Sequence, residues 1–391
     1  MANPSAAAAF SARARKALGE GQREIEPHAR AESPAKRERI LGYDLARALA
    51  ILGMVLVHFV LVMSMDHVEE GWLGRIVGFL DGRAAATFVV LAGVGLTLRA
   101  KGANASPDAE GDARATLRRR GLFLLAVGFL NLLVWPGDIL RVYGVSLLLA
   151  AWCLHASGRT LWVVTIAFVA GFVALMFVLD YSRNWEWETL TYHGLWTPAG
   201  TLRNLFFDGF RTVFPWTGLL FFGMWLGRRD LREPEAARRW VAAAVIVVVA
   251  TELTSRVLVR WVRAEAAMPY GDAVALFGTE SMPPLPLFLL SAAATAVAVI
   301  TASVRAGGRW GDALPVRALV ATGQLAFTWY IAHIIIGLGA VILLDLTEDQ
   351  PVAVGFLTGM GFFAVATVLS LLWRRHFRHG PLEWVMRRVA G

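Results

Sequence analysis

Ten stretches of this chain are apolar over about the 17–25 residues that a helix needs to cross a bilayer. They run roughly over 42–64, 76–99, 119–135, 139–156, 160–180, 212–228, 239–259, 285–304, 317–344 and 352–373. Lipid offers no partner to backbone N–H and C=O groups, so such a chain must fold as helices or a closed barrel. These runs are too long and too uniformly apolar for barrel strands, which alternate over about 10 residues. The expected fold is therefore all-α: a polytopic membrane protein of about ten transmembrane helices. The composition agrees, with 57% hydrophobic residues and only 17% charged, against about 45–50% and 25% in soluble domains.

Ten spans put both ends on one side, and the basic residues choose the side. The segments sharing the N-terminal side hold 28 of the Lys and Arg residues, and the opposite segments hold 8. Basic loops face the cytoplasm, so both termini are expected there. The same bias accounts for the net charge of +8, which in a soluble protein would suggest nucleic acid; no nucleic-acid partner is expected. The expected location is the inner (cytoplasmic) membrane of a bacterium, with membrane lipid as a partner and a homo-oligomer as an open option.

Residues 1–39 lack the apolar core of a signal peptide and carry prolines at 4, 27 and 34. They read as a disordered cytoplasmic tail before a single helical domain over 40–391. The one cysteine, Cys153, lies in an apolar run and reads as a small buried hydrophobe. No metal-ligand spacing is present, so no metal is expected.

The first span, GYDLARALAILGMVLVHF over 42–59, holds three groups that lipid disfavours: Asp44, Arg47 and His58. At 100° per residue, Arg47 and His58 fall within about 20° of each other and about 16 Å apart along the axis, with Asp44 within about 40° of both. All three share one face. Asp44 alone is a favourable anion in a first helical turn, and Arg47 can snorkel to the headgroups. His58 lies deeper. Ionisable residues at such depth usually face a protein interior or a wet cavity.

His333 lies about as deep in the ninth span as His58 does in the first, and both spans run outward, so the two imidazoles are expected at similar height. Tyr330 precedes His333 by three residues, on the same side of the helix. Asp81, Arg83, Asn131, Asp138, Arg141, Glu252 and Arg256 also fall at mid-depth or in the outer half. Glu252 and Arg256, spaced i, i+4, read as a structural ion pair. The set as a whole points to a functional cavity.

Several segments resemble a YeiB-like bacterial membrane family of uncertain activity: 42–59, DGRAAATFVVLAGVGLTL (81–98), WPGDILRVYGV (135–145), FPWTGLLFFGMWLGR (214–228), ATGQLAFTWYIAH (321–333) and FRHGPLEWVMRR (377–388). The first third is also similar to the catalytic domain of heparan-alpha-glucosaminide N-acetyltransferase. That family moves an acetyl group from cytosolic acetyl-coenzyme A to an amino sugar across the membrane. Its pattern has an Asp and then an Arg-Gly pair in the first helix, an Asn near that helix's outer end and a catalytic His shortly after. Asp44 and Arg47 match the start, Ala48 replaces the glycine, and His58 stands where the Asn would be. His67 is the nearest match to the catalytic His, across a gap.

The resemblance implies a transmembrane acyltransferase that passes an acyl (acetyl) group from acetyl-CoA or another acyl-CoA to an envelope sugar or lipid-linked acceptor. A histidine would take the acceptor's proton, with His58, His67 and His333 as candidates. Asp44, Arg47, Asp81, Arg83, Asn131, Asp138, Arg141 and Tyr330 would line the substrate path, and Arg83, Asn131 or Tyr330 could meet a developing oxyanion. Arg118, Arg119, Arg120, Arg228 and Arg229 would take the coenzyme's phosphates. The alternative is a transporter or flippase for a small anion or lipid, since buried charges also line transport paths. No inverted repeat is evident.

Overall fold

The computed structural model describes residues 39–65, 71–103, 107–347 and 349–391. The expected tail lies outside the described residues. Residues Ile40–Gly391 cluster as one compact unit. Strand structure among the described residues is a single short hairpin, β1 (Trp185–Glu186) with β2 (Thr191–Tyr192).

The helices follow the apolar runs. They are α1 (Leu41–Met63), α2 (Gly71–Leu80), α3 (Arg83–Ala103), α4 (Pro107–Asn131), α5 (Leu140–Trp152) and α6 (Gly158–Val178). After the hairpin come α7 (Pro198–Arg203), α8 (Val213–Leu226), α9 (Pro234–Glu265), α10 (Tyr270–Phe277) and α11 (Pro286–Trp310). The chain ends with α12 (Leu314–Gln324), α13 (Ala326–Ala332), α14 (Gly339–Leu343), α15 (Val352–His376) and α16 (Pro381–Ala390). Among the described residues, seven helical segments are long and apolar enough to cross a membrane, and α5 and α8 are shorter apolar helices. The chain is an all-α, multi-pass membrane protein.

Helix α1 is the hub, packed by α3, α11, α12 and α15. Its small residues Ala46, Ala48 and Ala50 are buried and let those neighbours come close, as small residues do between helices in lipid. Gly323 makes the closest approach: a Cβ there would stand 1.7 Å from the Asp44 carbonyl oxygen. That contact sets α12 against the first turn of α1. The chain then runs along α1 in the same direction, which carries His333 toward His58. Helices α6 and α9 instead expose apolar side chains such as Phe177 and Ile246, as lipid-facing surfaces do.

Two of the expected continuous spans are broken. The second is interrupted at Asp81–Gly82, where Gly82 takes a φ of +68° that favours glycine. The ninth is interrupted at Leu325 and again by a π-helical stretch, His333–Leu338. The polar run Asp81-Gly82-Arg83 marks the first break in the sequence, whereas Leu325 lies in a stretch that stays largely apolar.

Candidate functional site

The break at Leu325 leaves the first N–H groups of α13 without helical partners. A carboxylate from the far end of the sequence takes them. Glu383, on α16, accepts from the Phe327 and Thr328 N–H groups at 2.8 and 3.1 Å, and from the Thr328 hydroxyl at 2.5 Å. The GPLEW motif thus starts the helix that carries Trp329, Tyr330 and His333. Replacing Glu383 with alanine should cost about 1–2 kcal/mol of local stability, as lost caps do. Hydrogen exchange at the Phe327 and Thr328 amides should speed up before that of α1.

Trp329 is held in turn by Ser370 of α15, whose hydroxyl accepts from the indole N–H at 2.7 Å. The Trp329 carbonyl lies 3.1 Å from His333 Nδ1. His333 Nε2 lies 2.8 Å from His58 Nδ1, and the rings stack with centroids 5.1 Å apart. A carbonyl only accepts, so Nδ1 of His333 carries a proton, and with both rings neutral its Nε2 accepts. His58 Nδ1 must then donate to it. This chain of donors leaves the lone pair of His58 on Nε2. His333 is fully buried, whereas His58 is half-buried and lines a cavity of about 580 Å³.

Trp135, Tyr330, Asp81, Arg211 and Ser281 also line this cavity. The Trp135 ring lies 4.7 Å from the His58 ring, and its buried indole N–H has no partner. The Tyr330 hydroxyl accepts from the Ile139 N–H at 3.3 Å, and no acceptor among the described residues takes its own hydrogen. At the rim, Ser281 donates to Asp81 at 2.5 Å and Arg211 reaches the other Asp81 oxygen at 3.2 Å. The site therefore offers an oriented base, the Tyr330 hydroxyl as a donor with no acceptor of its own among the described residues, and a polar rim.

Two family models match. Heparan-alpha-glucosaminide N-acetyltransferase, catalytic, covers residues 39–262, more than half of the chain. The chain belongs to this acetyltransferase family. The model described as Protein of unknown function (DUF418) matches residues 226–391, the part that supplies His333 and Glu383. No curated protein matches the chain.

Within this acetyltransferase-family site, the residues expected from sequence divide into three groups. His58, Asp81 and Tyr330 line the cavity, with His333 directly behind His58. His67 lies outside the described residues.

Asn131, Asp138 and Arg141 do not line the cavity; they build the turn that carries Trp135. Asp138 accepts from Asn131 at 2.9 Å and from the Arg141 N–H at 3.0 Å, while the Arg141 guanidinium donates to Asn204 at 3.1 Å. Arg83 also stays out of the cavity. It pairs with Glu252 at 2.5 Å and bonds Ser291. The expected Glu252–Arg256 pair does not form: Glu252 turns inward to Arg83, and Arg256 is exposed. Desolvation explains this, because an arginine as deeply buried as Arg83 needs a carboxylate more than an exposed one does.

At the opposite end of α1, Asp44 pairs with Arg47 at 2.5 Å and accepts from Gln324 at 3.4 Å. The five arginines expected at the coenzyme do not gather into one site. Arg120 donates to the Gly391 carbonyl and Arg228 to that of Ala156, while Arg229 lies over the Trp225 ring. Arg118 and Arg119 are exposed on α4. None of the five lines the cavity: Arg118, Arg119 and Arg120 lie midway along α4, and Arg228 and Arg229 follow the end of α8.

Sequence reasoning missed Trp135, Arg211, Ser281 and Glu383 as site builders. The WPGD and GPLEW motifs were the visible signals for Trp135 and Glu383. Arg211 also sits beside a loop whose anchor is Asp208, which accepts from Tyr192 at 2.7 Å and from Arg203. Burial raises the Asp208 carboxyl above the ordinary carboxylate range, and those two hydrogen bonds oppose the rise.

Proposed function

We propose that the chain is a transmembrane acyltransferase of the inner membrane, passing an acyl (acetyl) group from cytosolic acyl-CoA to an envelope sugar or lipid-linked acceptor. In this reading ten helices cross the membrane, both termini are cytoplasmic, and residues 40–391 form one catalytic domain. The seven long spans are joined by α5, α8 and the apolar half of α4 to reach ten.

The observation that carries the reading is the relay from the Trp329 carbonyl through His333 to His58. A backbone carbonyl fixes one tautomer, and the base faces a cavity. The donor supplies a thioester carbonyl. The acceptor's oxygen or nitrogen attacks it, and the acceptor's proton passes to His58 Nε2. The Tyr330 O–H is placed to meet the negative charge that builds on the carbonyl oxygen. The tetrahedral intermediate then collapses, and the departing thiolate takes the proton from His58 Nε2, leaving as the thiol and restoring the neutral base. Asp81, Ser281 and Arg211 orient the acceptor.

Purified protein in lipid nanodiscs should bind radiolabelled acetyl-CoA and hydrolyse it slowly without acceptor. Replacing His333 with phenylalanine should keep binding, lower turnover about tenfold and alter the pH–rate profile, because His58 then loses its fixed tautomer. Failure to bind any acyl-CoA would overturn the reading. Solute uptake into proteoliposomes without covalent change would replace it with transport, which the two broken spans would also suit.

A further inference from the structure

The cavity has two unlike walls. One is the rim of Asp81, Ser281 and Arg211, backed by His58 and Tyr330. The other is hydrocarbon. Moving outward from His58 along α1, the cavity face continues as Leu61, Val62 and Met65, and Val77 and Leu80 of α2 stand across from it. These positions recur at helical spacing on one side of α1, so the α1–α2 part of the wall is aliphatic, while Thr347 joins the lining near its outer end. It ends at Ile342, which lines the cavity yet is 61% exposed, and it continues there with the exposed Leu343 and Leu344. In a membrane-spanning chain that outer surface is lipid-facing.

A hydrophilic polymer would find half of this cavity unable to hydrate it. An amphiphile fits both halves, its chain against the α1–α2 wall and its head against Asp81 and His58. We infer that the acceptor is an amphiphile, a hydroxyl- or amine-bearing polar head on an alkyl or isoprenyl chain, which enters from the bilayer past Ile342. The inference rests on the acyltransferase reading for the word acceptor, but the binding itself does not require a donor. The same geometry accounts for the mismatch between a polar catalytic end and an aliphatic approach to it. It also gives the break at Asp81–Gly82 a role: the turn brings a carboxylate to the polar wall, while α2 before it stays apolar on the opposite wall.

The test uses the full chain in nanodiscs and an octyl glucoside carrying a diazirine at the end of its alkyl chain. After irradiation, mass spectrometry locates the cross-links. The expected result is labelling at Leu61, Val77 or Ile342 that excess dodecyl glucoside competes away at least tenfold. Leu61→Trp, which fills the slot, should lose the labelling, and Leu61→Met should keep it. Labelling spread evenly over lipid-facing residues such as Phe177 and Val257 without competition would overturn the inference, as would no labelling at all. No donor is present, so competed labelling in a protein that never uses acyl-CoA would leave the amphiphile site standing and remove the acyltransferase reading. Transfer to a soluble amino sugar without competed labelling would do the reverse.

Discussion

Replacing His58 with alanine should lower acyl transfer about 10²- to 10⁴-fold, the range that a positioned general base contributes. The acceptor's hydroxyl or amine is a poor nucleophile until its proton has somewhere to go, and the Nε2 lone pair of His58 is the oriented imidazole base among the cavity-lining residues described. Donor binding should change little, since His58 lies about 16 Å along α1 from Arg47. Single-turnover measurements with saturating acetyl-CoA would separate the two effects. His58→Gln tests the same point with the volume nearly kept: it retains hydrogen bonding to His333 but has no titrating nitrogen, so it should be as inactive as alanine. An unchanged rate in both variants would move the base elsewhere, His67 being the next histidine to examine, and would remove the relay from the mechanism.

Much of this pair was legible in the sequence. Helical arithmetic gives the phase and height of a residue on its own helix, and His58 and His333 stand at matching heights on helices that run the same way. Asp44 and Arg47 were legible for the same reason, as an i, i+3 pair on one face. Arithmetic along one helix does not say which neighbour that face meets. Arg83 could have faced any of four or five helices, and its carboxylate lies on a helix 169 residues later. Ser281 meets Asp81 across 200 residues. The polar Asp81-Gly82-Arg83 run marks the break in the second span, but the break at Leu325 was hidden, because its freed backbone groups are satisfied by Glu383 from 55 residues on and the local sequence remains largely apolar. The arginines of α4 and of the segment after α8 drew attention, but positive charge on the cytoplasmic side is common to membrane proteins and does not by itself assemble a binding site.

The Arg83–Glu252 pair should be the most destabilising place to cut. Glu252 sits on α9, a largely lipid-facing helix whose neighbours are α10 and α11. Its carboxylate accepts from Arg83, Ser291 and Thr279 at 2.5, 2.8 and 2.9 Å. Arg83 is nearly sealed from solvent, with the Phe79 carbonyl and ring as its other partners. Changing Glu252 to leucine leaves that guanidinium charged and unmatched inside the bundle, which costs about 3–5 kcal/mol in buried pairs. The thermal midpoint in detergent, followed by size-exclusion chromatography, should fall well below that of the parent. Arg83→Met alone should fall less, because the Glu252 carboxylate is the more accessible of the two and keeps Ser291 and Thr279 as donors. The double variant, Arg83→Met with Glu252→Leu, should recover most of the loss, since a buried pair replaced by packed hydrocarbon is often neutral. A double variant as unstable as the sum of the singles would mean that the two charges are not coupled. The hold of α9 on the bundle would then rest on its packing with α10 and α11.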